Sequence, residues 1–195
     1  MSLNTNKPIA LVGLMGVGKT TVGRRLAKRL ECDFDDSDDA IERASGRSVA
    51  GYFRDHGEAD FRSGEFRVIK RLVEHENPIV IATGGGAFIH PPTRELLLEH
   101  AYVIWLKGDL KTLVERVSRN DKRPLLIGTD KHKKMKELMD VRHPIYAKAH
   151  ATVKIARGPH VRTVNRVIRA LNTLCLLYTS PSPRDQRGSR MPSSA

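Results

Sequence analysis

The sequence predicts an α/β protein built on a parallel sheet covered by helices on both faces, and three features carry that expectation. Short apolar segments rich in Val and Ile alternate with segments of helical period. The first of them, Pro8-Ile9-Ala10-Leu11-Val12, runs into Gly13-Leu14-Met15-Gly16-Val17-Gly18-Lys19-Thr20, the G-x-x-x-x-G-K-[ST] pattern of a phosphate-binding loop. Val22, Leu26 and Leu30 then recur at helical spacing, so the loop lies between a strand and a helix, the context the pattern requires.

Strands are expected at 9–12, 32–36, 79–83, 102–106 and 151–155, and helices at 19–30, 61–75, 92–100, 109–119, 132–147 and 160–174. Pro91-Pro92-Thr93 and Gly108-Asp109 mark helical starts. The second strand rests only on its place between two helical patterns, because its acidic residues are poor strand formers. Residues 175–195 turn to Ser, Pro and Arg with no apolar period. They read as a disordered tail added to a domain at 1–174, of non-native, adaptor-like sequence.

Composition narrows the function classes. The chain has 195 residues, 39% of them hydrophobic and 5% aromatic, which suits one well-buried domain. Cys32 and Cys175 form no C-x-x-C pair and no charged-then-apolar leader opens the chain, so a soluble protein of the reducing cytosol is expected. No apolar run approaches the roughly 20 residues of a membrane span. The formal charge of +12 invites a nucleic-acid reading, but the Lys and Arg residues are dispersed and no aromatics interleave with them as stacking platforms. A small kinase with two anionic ligands is equally basic. No nucleic-acid or membrane partner is expected, and the chain is expected to act as a monomer.

The phosphate loop sets the chemistry. Gly13, Gly16 and Gly18 allow backbone turns closed to other residues, so that successive N–H groups, Val17 included, wrap a polyphosphate at a helix N-terminus. Lys19, read as an exposed loop lysine, is expected to reach the β- and γ-phosphates, and Thr20, with Thr21 as its neighbouring alternative, to offer a hydroxyl to Mg²⁺. Many such proteins use an Asp at the end of a further apolar strand for the metal, but the apolar strand at 79–83 runs into Gly84-Gly85-Gly86 instead. The acid is therefore sought in the cluster Asp33, Asp35, Asp36, Asp38, Asp39. Alternate carboxylates of an extended segment face one crevice, so Asp36 and Asp38 are candidates for one site with different roles, while Asp39 reads as a cap of the next helix. Three adjacent glycines after a buried strand point to close backbone approach of a ligand and exposed N–H groups. Arg62, near Glu58 and Glu65 at the opening of a long helix, and Arg142, near the close of a later one, are either surface charges or bidentate clamps for a substrate carboxylate. The stretch between Arg116 and Asp130, polar, basic and interrupted by Pro124 and Gly128, reads as a mobile lid that brings positive charge over a phosphoryl group and excludes water.

In this order the motifs resemble the shikimate kinase family over about residues 8–174. The resemblance rests on the phosphate loop, Asp36-Ser37-Asp38 with Ala40-Ile41-Glu42, Gly46-Arg47-Ser48, Phe53, Gly57-Glu58 with Phe61-Arg62, Gly84 to Gly86, Arg123-Pro124-Leu125-Leu126 and Arg142-His143-Pro144-Ile145-Tyr146. It implies a P-loop NTPase fold of nucleoside-monophosphate-kinase type, with a five-stranded parallel sheet, a shikimate-binding region at about 38–65 and a lid at about 117–130. The implied reaction moves the ATP γ-phosphoryl group to the 3-hydroxyl of shikimate, on the route to chorismate and the aromatic amino acids.

By position, the resemblance assigns Thr20 and Asp36 to Mg²⁺, Asp36 through water, and Asp38 to the reacting hydroxyl as base. Arg62 and Arg142 take the shikimate carboxylate, and Glu65 and Gly84 to Gly86 complete that pocket. Arg123 is the lid arginine on the phosphates, Arg116 stacks on adenine, and Arg157 with Pro159 forms the adenine loop. The alternatives are another small-molecule P-loop kinase of gluconate type, which lacks the Asp36/Asp38, Arg62 and triple-glycine set, and, more distantly, a nucleic-acid-binding ATPase. A GTP-dependent switch would need an N-K-x-D motif, and the chain has none.

Overall fold

The computed structural model describes residues 7–118, 130–155 and 158–179. Five parallel strands, β1 (Ile9–Val12), β2 (Asp33–Asp36), β3 (Ile79–Ala82), β4 (Tyr102–Lys107) and β5 (Ala151–Lys154), stand side by side in the order β2-β3-β1-β4-β5. They are flanked by α1 (Lys19–Leu30), α2 (Ser37–Ser45), α3 (Val49–Val73), α4 (Pro91–His100), α5 (Leu110–Ser118), α6 (Lys131–Tyr146) and α7 (His160–Thr179). Every residue of β1 and β3 is buried, as strands covered on both faces must be, and their unbroken Ile, Leu, Val and Ala runs follow from that.

The strand order places the chemistry. After β1 the chain goes to one side of the sheet, through β2 and β3, and only then to β4 and β5 on the other side. A crevice opens beyond the carboxyl ends of strands at such a reversal. The phosphate loop follows β1, Asp36 ends β2, and the triple glycine follows β3, so three distant segments arrive together at adjacent strand ends.

Strand β2 forms despite its acidic residues because β3 pairs with it along its whole length, Asp33 with Ile79 through Asp36 with Ala82. Its edge position leaves Asp33 exposed, which an acidic strand tolerates. Phe34 anchors it against α1: a Cβ on Gly23 would sit 2.6 Å from the Phe34 ring, so only glycine lets helix and strand close up there.

Three expectations need correction. Residues 37–45 and 49–60, outside the expected helices, are helical. Asp36 caps α2 by accepting from the Asp38 N–H, Gly46 closes it in the left-handed conformation, and the Ser48 hydroxyl caps α3. Only Ser37, Ala40 and Ile41 of α2 are buried, so its apolar stripe is too short to register as a period. Gly57, at φ 77° and ψ 176°, breaks α3 in the middle, which is why only the second half was legible as a helix. Asp39 is not the cap: it lies in the first turn of α2, 3.7 Å from Arg24. Finally, α7 continues to Thr179, so residues 175–179, assigned to a disordered tail, are helical, although Leu176 is exposed. Residues 180–195 lie outside the described residues.

Candidate active site

Gly13, Gly16 and Gly18 have φ of 139°, 79° and 92°, a region that side chains oppose. At Gly13 the approach is also tight, since a Cβ there would lie 2.6 Å from the Leu106 carbonyl at the end of β4. Gly18 is the N-cap of α1 and provides no side-chain cap, which leaves the first-turn N–H groups available to an anion. Lys19 is not exposed as expected. It is 9% accessible and its ammonium donates to the carbonyls of Gly13 (2.7 Å) and Leu14 (3.0 Å), folding back over the loop that carries it. Arg116 of α5 donates to the Val17 carbonyl at 3.2 Å, which ties that helix to the same loop. Thr21 is exposed at the rim.

A carboxylate and a hydroxyl meet where a metal is expected. The Thr20 hydroxyl donates to one oxygen of Asp36 at 2.7 Å, and the other oxygen accepts from the Asp38 N–H at 3.0 Å. Asp36 and Asp38 are not neighbours on one extended segment: Asp36 ends β2 and Asp38 lies in the first turn of α2. That turn still brings both into one cavity of about 410 Å³ with Gly16, Gly18, Lys19 and Thr20. Two hard oxygen donors beside a polyphosphate loop suit Mg²⁺, which keeps most of its shell as water and phosphate. Among the described residues no cluster of three or more His, Cys, Asp or Glu side chains forms a metal cage, in keeping with so sparse a donor set.

The triple glycine meets side chains, not unusual backbone angles, since none of the three has positive φ. A Cβ on Gly84 would fall 2.5 Å from an Asp38 carboxylate oxygen and 2.9 Å from one of Glu65, and a Cβ on Gly86 would overlap the Arg62 guanidinium. The missing side chains are what allow Asp38, Glu65 and Arg62 to converge. The Gly84 N–H is not free for a ligand, because it donates to the buried Ser37 hydroxyl at 2.8 Å.

Glu65 is 1% accessible and accepts from Arg62 at 2.5 Å. Its burial pushes its carboxyl upward from the usual range, while the Arg62 charge pulls the other way and the Asp38 charge adds to the rise. Arg62 also lies against the rings of Phe61 and Phe53. From α6, Arg142 donates to the Gly85 carbonyl at 3.1 Å.

Gly16, Gly18, Lys19 to Thr21, Asp36, Asp38, Gly85 and Arg116 thus line one cavity at the strand ends, and Glu65, Arg62 and Arg142 adjoin it through Gly84, Gly86 and Gly85. Arg123 and Arg157, with the lid from 119 to 129, lie outside the described residues. Sequence reasoning gave no role to Ser37, Thr83, Tyr146 or His160. Thr83 and His160 line the cavity beside the loop, and Tyr146 donates to Gly85. Of these only Tyr146 left a usable signal, its spacing of four from Arg142 on one helix face.

The comparisons agree with this geometry. The family model described as shikimate kinase matches residues 15–172. A shikimate kinase of Caulobacter vibrioides is 50% identical over 85% of this chain and 82% of its own length, and one of Zymomonas mobilis is 48% identical over 85% and 93%. Among solved structures, a shikimate kinase from Acinetobacter baumannii in complex with shikimate superposes with a TM-score of 0.81 at 36% identity, over 90% of this chain and 96% of that one. A gluconokinase from Sinorhizobium meliloti, at 16% identity and a TM-score of 0.60, shares the fold alone. On sequence, architecture and the arrangement of its cleft, the chain belongs to the shikimate kinase family.

Proposed function

We propose that the cleft holds ATP on the phosphate loop and shikimate against the Arg62, Glu65, Gly84 to Gly86 and Arg142 wall, and moves the γ-phosphoryl group to the shikimate 3-hydroxyl. One observation carries the assignment of roles: Asp36 and Asp38 share the β2–α2 junction, one carboxylate bonded to Thr20 on the phosphate side and the other packed against Gly84 on the acceptor side. A junction two residues long fixes the spacing between donor and acceptor.

Each residue then has a task. Backbone N–H groups from Gly13 to Thr20 bind the phosphates, and Lys19 exchanges its two carbonyl partners for phosphate oxygens. Thr20 and Asp36, Asp36 through water, would hold Mg²⁺, which when bound neutralises charge on the β- and γ-phosphates. Asp38 accepts the proton of the 3-hydroxyl as that oxygen bonds to the γ-phosphorus and the bond to the β-phosphate bridging oxygen breaks, releasing ADP. Arg62 and Arg142 hold the carboxylate by bidentate geometry, with Glu65 fixing Arg62. Arg116, with Arg157 and Pro159, takes the adenine side, and Arg123 on the lid meets the transferred group. The enzyme is assigned to the cytosol, as a monomer.

A coupled assay of ADP release tests the reading. Turnover with shikimate and not with gluconate or AMP is expected, and equal turnover with gluconate would overturn it. In the same assay Asp38→Asn should lose kcat far more than shikimate affinity.

A further inference from the structure

We propose that Tyr146 is a positioning residue for the carboxylate-binding half of the cleft, acting through the Gly85 carbonyl and the Arg142 guanidinium. The inference rests on the assignment of Arg142 as a carboxylate clamp. Arg142 and Tyr146 are four residues apart on α6 and so project from one face, and both donate to the same oxygen: Arg142 at 3.1 Å and the Tyr146 hydroxyl at 2.5 Å. A carbonyl has room for two donors, and here both positions are taken from one helix.

The arrangement fixes the arginine on both sides. Arg142 has five N–H groups in a rigid fork and gives one to Gly85, which leaves others for an anion. A guanidinium on a long flexible stem loses affinity when its rotamers must be frozen on binding, and an anchor made beforehand reduces that loss. Tyr146 is a rigid anchor. It is 1% accessible, with its ring 5.9 Å from Trp105 and 6.4 Å from Phe88, and Trp105 also meets His143 edge-on at 5.0 Å. Burial holds its phenol up at about 12, against the Arg142 and Arg62 charges, so it remains a donor throughout the working pH range. Gly85 in turn lies against the phosphate loop, with the Met15 N–H 3.6 Å from where a Cβ would stand. The tyrosine therefore fixes Arg142 relative to the segment that faces the nucleotide.

The test compares shikimate with its methyl ester, which offers no carboxylate, in wild type, Tyr146→Phe, Arg142→Ala and the double variant. Tyr146→Phe should raise shikimate KM about three- to tenfold with kcat within twofold, and leave ATP KM and the poorer kinetics of the ester unchanged, so the preference for shikimate falls by the same factor. Added to Arg142→Ala, it should have no further effect. Replacing Tyr146 with p-aminophenylalanine restores an N–H donor and should recover the preference. Equal losses with shikimate and ester, additivity with Arg142→Ala, or no change at all in Tyr146→Phe would overturn the proposal. So would a Tyr146→Phe protein that does not fold while the p-amino form does, since the hydroxyl would then serve stability alone. If Arg142→Ala itself leaves the preference intact, the clamp assignment fails instead, and the two failures are distinguishable.

Discussion

The phosphate loop and the triple-glycine turn lie against each other across the cleft, and both are rich in glycine for different physical reasons. In the loop, Gly13, Gly16 and Gly18 take positive φ, and the backbone itself forms the binding surface. In the turn, Gly84 and Gly86 have ordinary angles and give up their side chains so that Asp38, Glu65 and Arg62 can occupy the space. One half of the site is thus made by main chain from a contiguous segment. The other is made by side chains from α2, α3 and α6, with the glycines only clearing room. A backbone site tolerates little change anywhere along it, whereas a side-chain site is sensitive wherever two chains meet.

That contrast is sharpest at Lys19, which belongs to the loop yet acts through its side chain. Lys19→Met should lower kcat by roughly 10²–10³-fold, because the ammonium meets charge that develops in the transition state. It should also lower the melting temperature slightly, since two carbonyls lose a donor. A folded variant with near-normal turnover in the ADP-release assay would remove Lys19 from the chemistry.

Alanine substitution separates the two kinds of glycine. Gly13→Ala should cost about 1–3 kcal/mol of backbone strain, or roughly 2–12 °C of melting temperature for a chain of this size, and activity with it. Gly86→Ala should keep the melting temperature within a few degrees and raise shikimate KM by about tenfold or more, because the new methyl displaces Arg62. Gly85→Ala, with no atom closer than 3.6 Å to its Cβ, should show the smallest effect of the turn. If calorimetry found Gly86→Ala as destabilising as Gly13→Ala, the distinction would collapse.

The acceptor side also predicts a dependence on pH that the loop does not. Glu65 has a carboxyl raised by burial above its ordinary value of 4.5. The folded state therefore favours its protonated form, and the corresponding stability is fully present below pH 4.5 and lost as pH rises through the folded value. Glu65→Gln should flatten that part of the stability profile while weakening shikimate binding, since Arg62 loses its partner. An unchanged profile by thermal melts from about pH 4 to about pH 8 would mean that Glu65 is not held in this way.

A smaller, opposite effect is expected away from the cleft. Strand β5 joins β4 only from Ile104 onward, and the Val103 N–H just before it is taken by His150 Nδ1 at 2.9 Å. That bond needs a neutral ring, and burial, aided by the Lys7 charge, holds the His150 pKa below 6.5. Its stability is present above pH 6.5 and lost as pH falls through the lower folded value. His150→Ala should remove about 0.5–1.5 kcal/mol near neutral pH and flatten the acid side of the profile.

What the order of residues determined by itself is whatever depends on neighbours along the chain. The phosphate loop, the limits of α1, four apolar strands and the pairing of Asp36 with Asp38 are local features, written in periodicity, glycine spacing and capping signals. Strand β2 was legible only by position, because its residues prefer other structures and its pairing with β3 overrides them. Helix α2 went unread because its few buried residues make too short a stripe.

Tertiary structure alone decided the partners. Arg62 belongs with Gly86, Asp38 and Glu65 with Gly84, and Arg142 and Tyr146 with one carbonyl about sixty residues earlier, because strand order brings those segments to adjacent ends of the sheet. No spacing along the chain encodes such a meeting. It follows from the order in which β3, β1 and β4 lie side by side, and that order is set by the burial of both sheet faces at once.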